Sequence, residues 1–181
     1  MERSNPHPRL FFGVAASVVV ADAITKAMAV ASLMPTRVPR EVLGQALRLT
    51  LVFNPGAAFG LHFGPWSRWI FTALTLGALA LLWELYRTTR SSDVARALAL
   101  SLVCGGALGN LVDRLKSGRG VVDFIDVGVG GMRWPTFNVA DMAVSCGAVL
   151  LAIVLWREDA AAKDAATPVV TASGSDPAIQ G

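Results

Sequence analysis

FNVADMAVSCGAVLLAIVLW, residues 137–156, is an almost unbroken apolar run whose only charged residue is Asp141. A helix crosses a bilayer with about 20 mostly apolar residues, so this stretch reads as a transmembrane span. Three more candidates lie upstream: about Leu10 to Leu33, broken by Asp22 and Lys26; Trp66 to Tyr86, containing IFTALTLGALALLW; and about Val94 to Leu111, rich in Ala, Leu and Gly. Composition agrees with four spans. Of 181 residues 54% are hydrophobic and 16% charged, with a mean hydropathy of +0.53. A soluble domain carries roughly 25% charged residues, so this chain is short of the polar surface it would need in water. That excludes disorder over most of the length and argues against an ordinary cytosolic enzyme.

The net charge is +3, but the basic residues are scattered and no aromatic stack lies among them. Nucleic-acid binding therefore has little support. Cys104 and Cys146 sit inside apolar runs and form no disulfide framework. His7 and His62 are not at metal-ligand spacing with a Cys or with each other, so no metal site is expected. The N-terminus imitates a secretory signal peptide, with Ala21-Asp22-Ala23 as a cleavage-like site. The apolar pattern continues past Lys26, however, so a retained first helix is expected. The positive-inside count is nearly balanced. The short, Arg-marked connection between the second and third spans (Arg87, Arg90, Arg96) favours both termini on the cytoplasmic side.

The two other connections are longer. Arg48 to Phe53 has strand character and runs into Asn-Pro-Gly turn chemistry, and VVDFIDVGVGGMRWP follows the third span. With both termini inside, these connections share the outer face, where they are expected to form a small β platform and a short lid. The expected architecture is thus a mainly α membrane protein with four transmembrane helices. Residues 1–157 form one domain, and residues 158–181 are expected to be an unstructured cytoplasmic tail.

Ionisable residues within spans are expensive and are functional candidates by default. Asp22 and Lys26, four apart on one helical face, read as a self-neutralising pair bracing the structure above. Asn138 and Asp141 have the spacing of a helix-start capping box. Asp123 reads alone as a loop carboxylate. Together, Asp123 and Asp141 stand at the same depth on neighbouring segments, where two carboxyl groups can share a proton. A shared-proton pair can activate water with one member and polarise a peptide carbonyl with the other. Asn54, Asn110, Arg114 and Asn138 surround them as groups able to hold a peptide backbone. Asp113 reads either as a local ion pair with Arg114 or as a positioning residue. Gly105, Gly106 and Gly109 read as permitting close helix packing.

In order, these motifs resemble those of the lipoprotein signal peptidases, the type II signal peptidases of bacteria. The resemblance covers about residues 10–157: Asp22 with Lys26, NPGAAFG at 54–60, GGALGNLVDR at 105–114, VVDFID at 121–126 and FNVAD at 137–141. It implies an aspartic endopeptidase with Asp123 and Asp141 as the catalytic dyad. Asn54, Asn110, Arg114 and Asn138 would position the substrate, with Asp22, Lys26 and Asp113 as structural support. The implied substrate is a prolipoprotein whose lipobox Cys carries diacylglyceryl, cut just before that Cys. The resemblance also implies a bacterial inner-membrane location with the site near the periplasmic face, contact with membrane lipids, and sensitivity to globomycin-type cyclic peptides. It implies no metal or organic cofactor. A monomer is expected. A proton-coupled transporter and a non-catalytic membrane scaffold are the alternatives. The first is disfavoured by an acid pair at one face rather than at the midplane, and the second leaves that pair unexplained.

Overall fold

Four long helices occupy the four apolar segments. The computed structural model describes residues 7–56 and 63–166, with side chains as far as Lys163. Helix α1 is Pro8–Ser32, α2 Ser67–Arg87 (after a 3-10 turn at Gly64–Trp66), α3 Val94–Lys116 and α4 Val139–Ala166. Each is long and apolar enough to cross a membrane. Pro8 opens α1, where its missing N–H leaves no hydrogen bond unmade.

Helix α3 is the central one. More than half of its span is buried, whereas the other three turn most of their residues outward. Small residues make this possible. A Cβ on Gly105 would lie 2.9 Å from the Ala15 carbonyl, and one on Gly106 would collide with the carbonyl of Ala140. Backbones of α1 and α4 therefore pack directly on neighbouring faces of α3, the role expected of small residues between membrane helices.

Two helices outrun the apolar limits set by the sequence. Helix α3 continues to Lys116 rather than ending near Leu111, which puts Asp113 and Arg114 on its last turns. Helix α4 continues to Ala166, so the expectation of an unstructured tail from Glu158 is corrected for residues 158–166. The reason is composition: the stretch is rich in Ala, the strongest helix former, and Glu158 is held 3.4 Å from Arg96 of α3. The rest of the expected tail lies outside the described residues.

The remaining connections build a sheet of β1 (Arg40–Leu43), β2 (Leu47–Asn54), β3 (Val121–Val129) and β4 (Met132–Arg133), antiparallel in the order β1-β2-β3-β4. Arg48 lies opposite Asp126, Val52 opposite Asp123 and Asn54 opposite Val121, with a bulge in β2 between Leu49 and Val52. Residues 112–136, expected to supply the lid, contribute the end of α3 and the β3–β4 hairpin. Alternation along β3 separates two tasks. Val122 and Phe124 join Leu51 in a buried cluster with Ala29 and Leu33 at the end of α1. Asp123 points the other way.

Asp126 ties three strands together. It accepts hydrogen bonds from Arg48 Nε (3.1 Å) and Thr50 Oγ1 (2.9 Å) on β2, and from Arg133 Nε (2.8 Å) on β4. Burial pushes its pKa up, but the combined hydrogen bonds from Arg133, Thr50 and Arg48 prevail and hold it below the usual 3.8.

Candidate active site

The antiparallel packing of α3 and α4 brings the end of one beside the start of the other, and β3 passes across that end. Asp123 from β3, Asp141 from α4, Asn110 and Arg114 from α3 and Asn54 from β2 all line one cavity of about 680 Å³.

Asn138, fully buried, organises the cavity floor. It is the N-cap of α4: its Oδ1 accepts the Asp141 N–H at 2.9 Å, and its own N–H donates to Asp141 Oδ2 at 3.1 Å. This is a capping box with Asp in the acidic position. Asn138 Nδ2 donates to Asp123 Oδ1 at 2.7 Å and lies 3.1 Å from Asn110 Oδ1. Asn110 Nδ2 in turn donates to Asp141 Oδ1 at 2.7 Å. Asp123 and Asp141 are thus joined through two facing asparagines. Asn54 Nδ2 donates to Asp123 Oδ2 at 3.2 Å, and Asn54 Oδ1 accepts the Gly56 N–H in a tight turn. Gly56 has φ of 109°, a conformation that favours glycine.

Behind the asparagines lies a buried charge cluster. Lys26 Nζ is 2.7 Å from Asp22, 2.8 Å from Asp113 and 3.0 Å from Asn110 Oδ1. Asp22 Oδ1 accepts the Ala140 N–H at 2.9 Å, so α1 helps cap the start of α4. Asp113 accepts the Val122 N–H at 3.2 Å and so fixes β3 beside Asp123. The ion pair of Asp113 is therefore with Lys26 across the bundle, not with its neighbour Arg114. Gly109 leaves room for this cluster, since a Cβ there would lie 2.7 Å from Asp22 Oδ2.

Removing one partner of a buried ion network leaves the others uncompensated. Lys26→Met is expected to destabilise the protein by about 3 kcal/mol and to lower activity, although Lys26 does not line the cavity. Thermal unfolding in detergent, with activity measured on the surviving folded fraction, checks this.

Asp123 is buried and faces Asp141. Burial, reinforced by the charge of Asp141, pushes its pKa up to about 7 against the opposing hydrogen bonds from Asn54 and Asn138 and the charge of Lys26. The Arg114 guanidinium lies within electrostatic reach of Asp141, Asp123 and Asp113, and its buried Nε has no acceptor among the described residues. A donor so placed at a cavity wall is available to a bound carbonyl.

All the expected site residues except the supporting cluster line the cavity or bridge its carboxylates. The sequence reading missed the lip formed by Trp134 to Phe137, with Val144 and Ser145 deeper along α4. Phe137 also clamps β3: its carbonyl accepts the N–H groups of Phe124 and Ile125, and its N–H donates to the Ile125 carbonyl. The available signal was RWPTF itself, a Trp-Pro step between a strand and a span. Outside the site, His7 Nε2 donates to the Ser91 carbonyl oxygen at 2.7 Å, Cys104 is buried and Cys146 faces outward. His62 lies outside the described residues.

Comparison with known proteins adds to this geometry. A family model described as signal peptidase (SPase) II matches residues 14–157. The lipoprotein signal peptidase of Polynucleobacter necessarius subsp. necessarius (strain STIR1) is 40% identical over 151 residues, 82% of this chain and 88% of that one. The lipoprotein signal peptidase of Rhodococcus jostii (strain RHA1) is 43% identical over 150 residues, 80% of this chain and 71% of that one. A bacterial membrane enzyme solved by the in meso method at 2.3 Å superposes with a TM-score of 0.78 at 30% identity, over 93% of this chain and 99% of that one. A second, solved at 1.9 Å, gives 0.74 at 32% identity.

Proposed function

Because the chain belongs to the signal peptidase II family, we propose that it is an intramembrane aspartic endopeptidase that cuts diacylglyceryl-modified prolipoproteins just before the lipidated Cys. The observation that carries the aspartic reading is the Asp123–Asn138–Asn110–Asp141 chain in the wall of one cavity. Two carboxylates from different elements are held in fixed orientation by amides that neither donate nor take a proton themselves. An acid pair at the end of the helices also suits a peptide bond near the membrane surface better than it suits proton transport through the midplane.

The roles divide by environment. Asp123, with its pKa raised to about 7, holds the shared proton below neutral pH. Asp141 accepts hydrogen bonds at both oxygens from Asn110 and the Asn138 backbone and serves as base. It takes a proton from a water molecule whose oxygen attacks the scissile carbonyl, while Asp123 gives its proton to the carbonyl oxygen. The resulting gem-diol collapses as Asp141 passes its proton to the leaving nitrogen, which becomes the amino group of the lipidated Cys. The C–N bond breaks, and Asp123 recovers its proton from the diol hydroxyl. Arg114 Nε, without an acceptor among the described residues, holds a substrate backbone carbonyl. Asn54 braces Asp123 at the sheet side.

The same reading places the enzyme in the bacterial inner membrane, as a monomer with both termini cytoplasmic and the cavity near the periplasmic face. Purified protein incubated with a diacylglyceryl prolipoprotein is expected to release a mature chain beginning at the lipidated Cys, read by mass spectrometry. Cleavage at another bond, or none, would overturn the assignment.

The pH dependence follows from Asp123. Its carboxyl is protonated below its pKa of about 7 and loses the proton above it. The acid that polarises the carbonyl is then lost, so kcat is expected to fall by about tenfold per pH unit above neutrality. Single-turnover cleavage between neutral and alkaline pH measures this. A flat profile would show that Asp123 is not the acid.

A further inference from the structure

A second cavity, of about 520 Å³, opens at the membrane face opposite the carboxylates. Arg96 at its wall lies roughly 21 Å along α3 from Asn110, at 1.5 Å per residue. Arg90 and Asp93 come from the turn between α2 and α3, Arg96 from the first turn of α3, and Glu158 from α4. Ala161 and Ala162, on the helical continuation of α4, close the far side without filling it. Trp83 and Trp156 are exposed close by in sequence, as tryptophans at a lipid headgroup boundary are.

The charges of this cavity are paired in number but poorly satisfied in geometry. Arg96 is mostly buried, yet its Nη1 stands 3.4 and 3.5 Å from the two oxygens of Glu158. A charge-assisted N–H···O bond is normally about 2.7–2.9 Å. Its Nε is buried and has no acceptor among the described residues. By contrast, Arg133 on the other face places Nε 2.8 Å from Asp126. The Arg96 site therefore has an unused planar donor edge, a second guanidinium nearby, and two carboxylates across the opening.

We propose that this cavity binds a zwitterionic phospholipid headgroup of the phosphoethanolamine type. The phosphodiester sits on the donor edge of Arg96, assisted by Arg90. Planar guanidinium groups match phosphate oxygens pairwise. The primary ammonium reaches Glu158 and Asp93, to which it offers three N–H donors. The acyl chains run into the bilayer beside Trp156. Charge selects this ligand from its relatives. A purely anionic headgroup would satisfy the arginines and leave two carboxylates facing a phosphate. A choline headgroup offers no N–H to those carboxylates. The occupant would join the α2–α3 turn to the end of α4, far from the catalytic pair.

The test is native mass spectrometry of the full chain in detergent. Phosphatidylethanolamine, phosphatidylcholine and phosphatidylglycerol with identical acyl chains are added in turn, and glycerophosphoethanolamine serves as the chainless competitor. Phosphatidylethanolamine is expected to be retained at least tenfold more tightly than the other two lipids. Arg96→Gln lowers that retention at least tenfold, and Arg90→Gln, on the exposed turn, lowers it severalfold. Glu158→Gln removes the preference for ethanolamine over choline. Cleavage activity stays at the wild-type level in all three variants, which also reports that they fold. Should Arg96→Gln not accumulate, Arg90→Gln and Glu158→Gln decide the matter. Equal retention of the three lipids, or unchanged retention in the variants, overturns the proposal. Displacement of the lipid by equimolar glycerophosphoethanolamine identifies a free phosphoester as the ligand and overturns the lipid assignment.

Discussion

Asp123→Asn and Asp141→Asn are each expected to lower kcat/KM for a lipidated prolipoprotein by on the order of 10⁴-fold, about 5.4 kcal/mol of transition-state stabilisation. The substitutions are nearly isosteric and keep one carbonyl oxygen, so the packing survives. Asn at 123 can still accept from Asn138 Nδ2, but its new amide meets another amide donor at either Asn138 or Asn54. Asn at 141 loses one acceptor of the capping box, worth about 1 kcal/mol. Both variants should therefore insert and accumulate with a modest fall in Tm, while chemistry is lost because neither amide can take a proton from water or give one to a carbonyl. The two residues act as a unit, so the double variant should be scarcely slower than either single one. Cleavage at near wild-type rate in either single variant would remove the dyad from the mechanism. Losses that multiply in the double variant would argue that the two carboxylates work in separate steps.

Much of this site was legible in the sequence because it is built at element boundaries, where local rules are strong. Asn138 and Asp141 carry the spacing of a capping box, and they form one. The (i, i+4) spacing of Asp22 and Lys26 places them on one helical face, and they meet at 2.7 Å. Long-range partners were not legible. Asp113 and Arg114 are adjacent in sequence, but successive helix residues point in different directions. Asp113 instead meets Lys26, and only the packing of α1 on α3 reveals it. The alternation in VVDFID separates Asp123 from Asp126, yet nothing local identifies Arg48, Thr50 and Arg133 as the partners of Asp126, because strand register decides that. The helical stretch past Trp156 was hidden for a different reason. Its Ala, Asp and Lys composition reads as polar tail, whereas its helix propensity and the contact of Glu158 with Arg96 continue α4. One wall of the second cavity, that of Glu158, Ala161 and Ala162, depends on that continuation.

A precursor lacking the diacylglyceryl group is expected to be cut with kcat/KM about 10³-fold below that of the lipidated form, about 4 kcal/mol. The cavity that holds Asp123 and Asp141 includes Val144 and Ser145 along α4, so it opens from the first turn of the helix toward the bilayer. A signal helix alone is poorly held in register there, because sliding and tilting cost only fractions of a kcal/mol per ångström. Acyl chains change that balance. Each CH₂ buried contributes about 0.8 kcal/mol, so roughly five methylenes whose contacts are complete only in the reactive register account for the expected difference. Binding energy from the remote chains then acts at the scissile bond, which should appear in kcat as well as in KM. The measurement is a paired assay in liposomes with matched precursors, one bearing diacylglyceryl and one a free thiol. Equal kcat/KM for the two would show that the lipid does not set the register, and would leave the proposed roles of Asp123 and Asp141 to their own variants. A difference confined to KM would mean that the chains concentrate the substrate without positioning it.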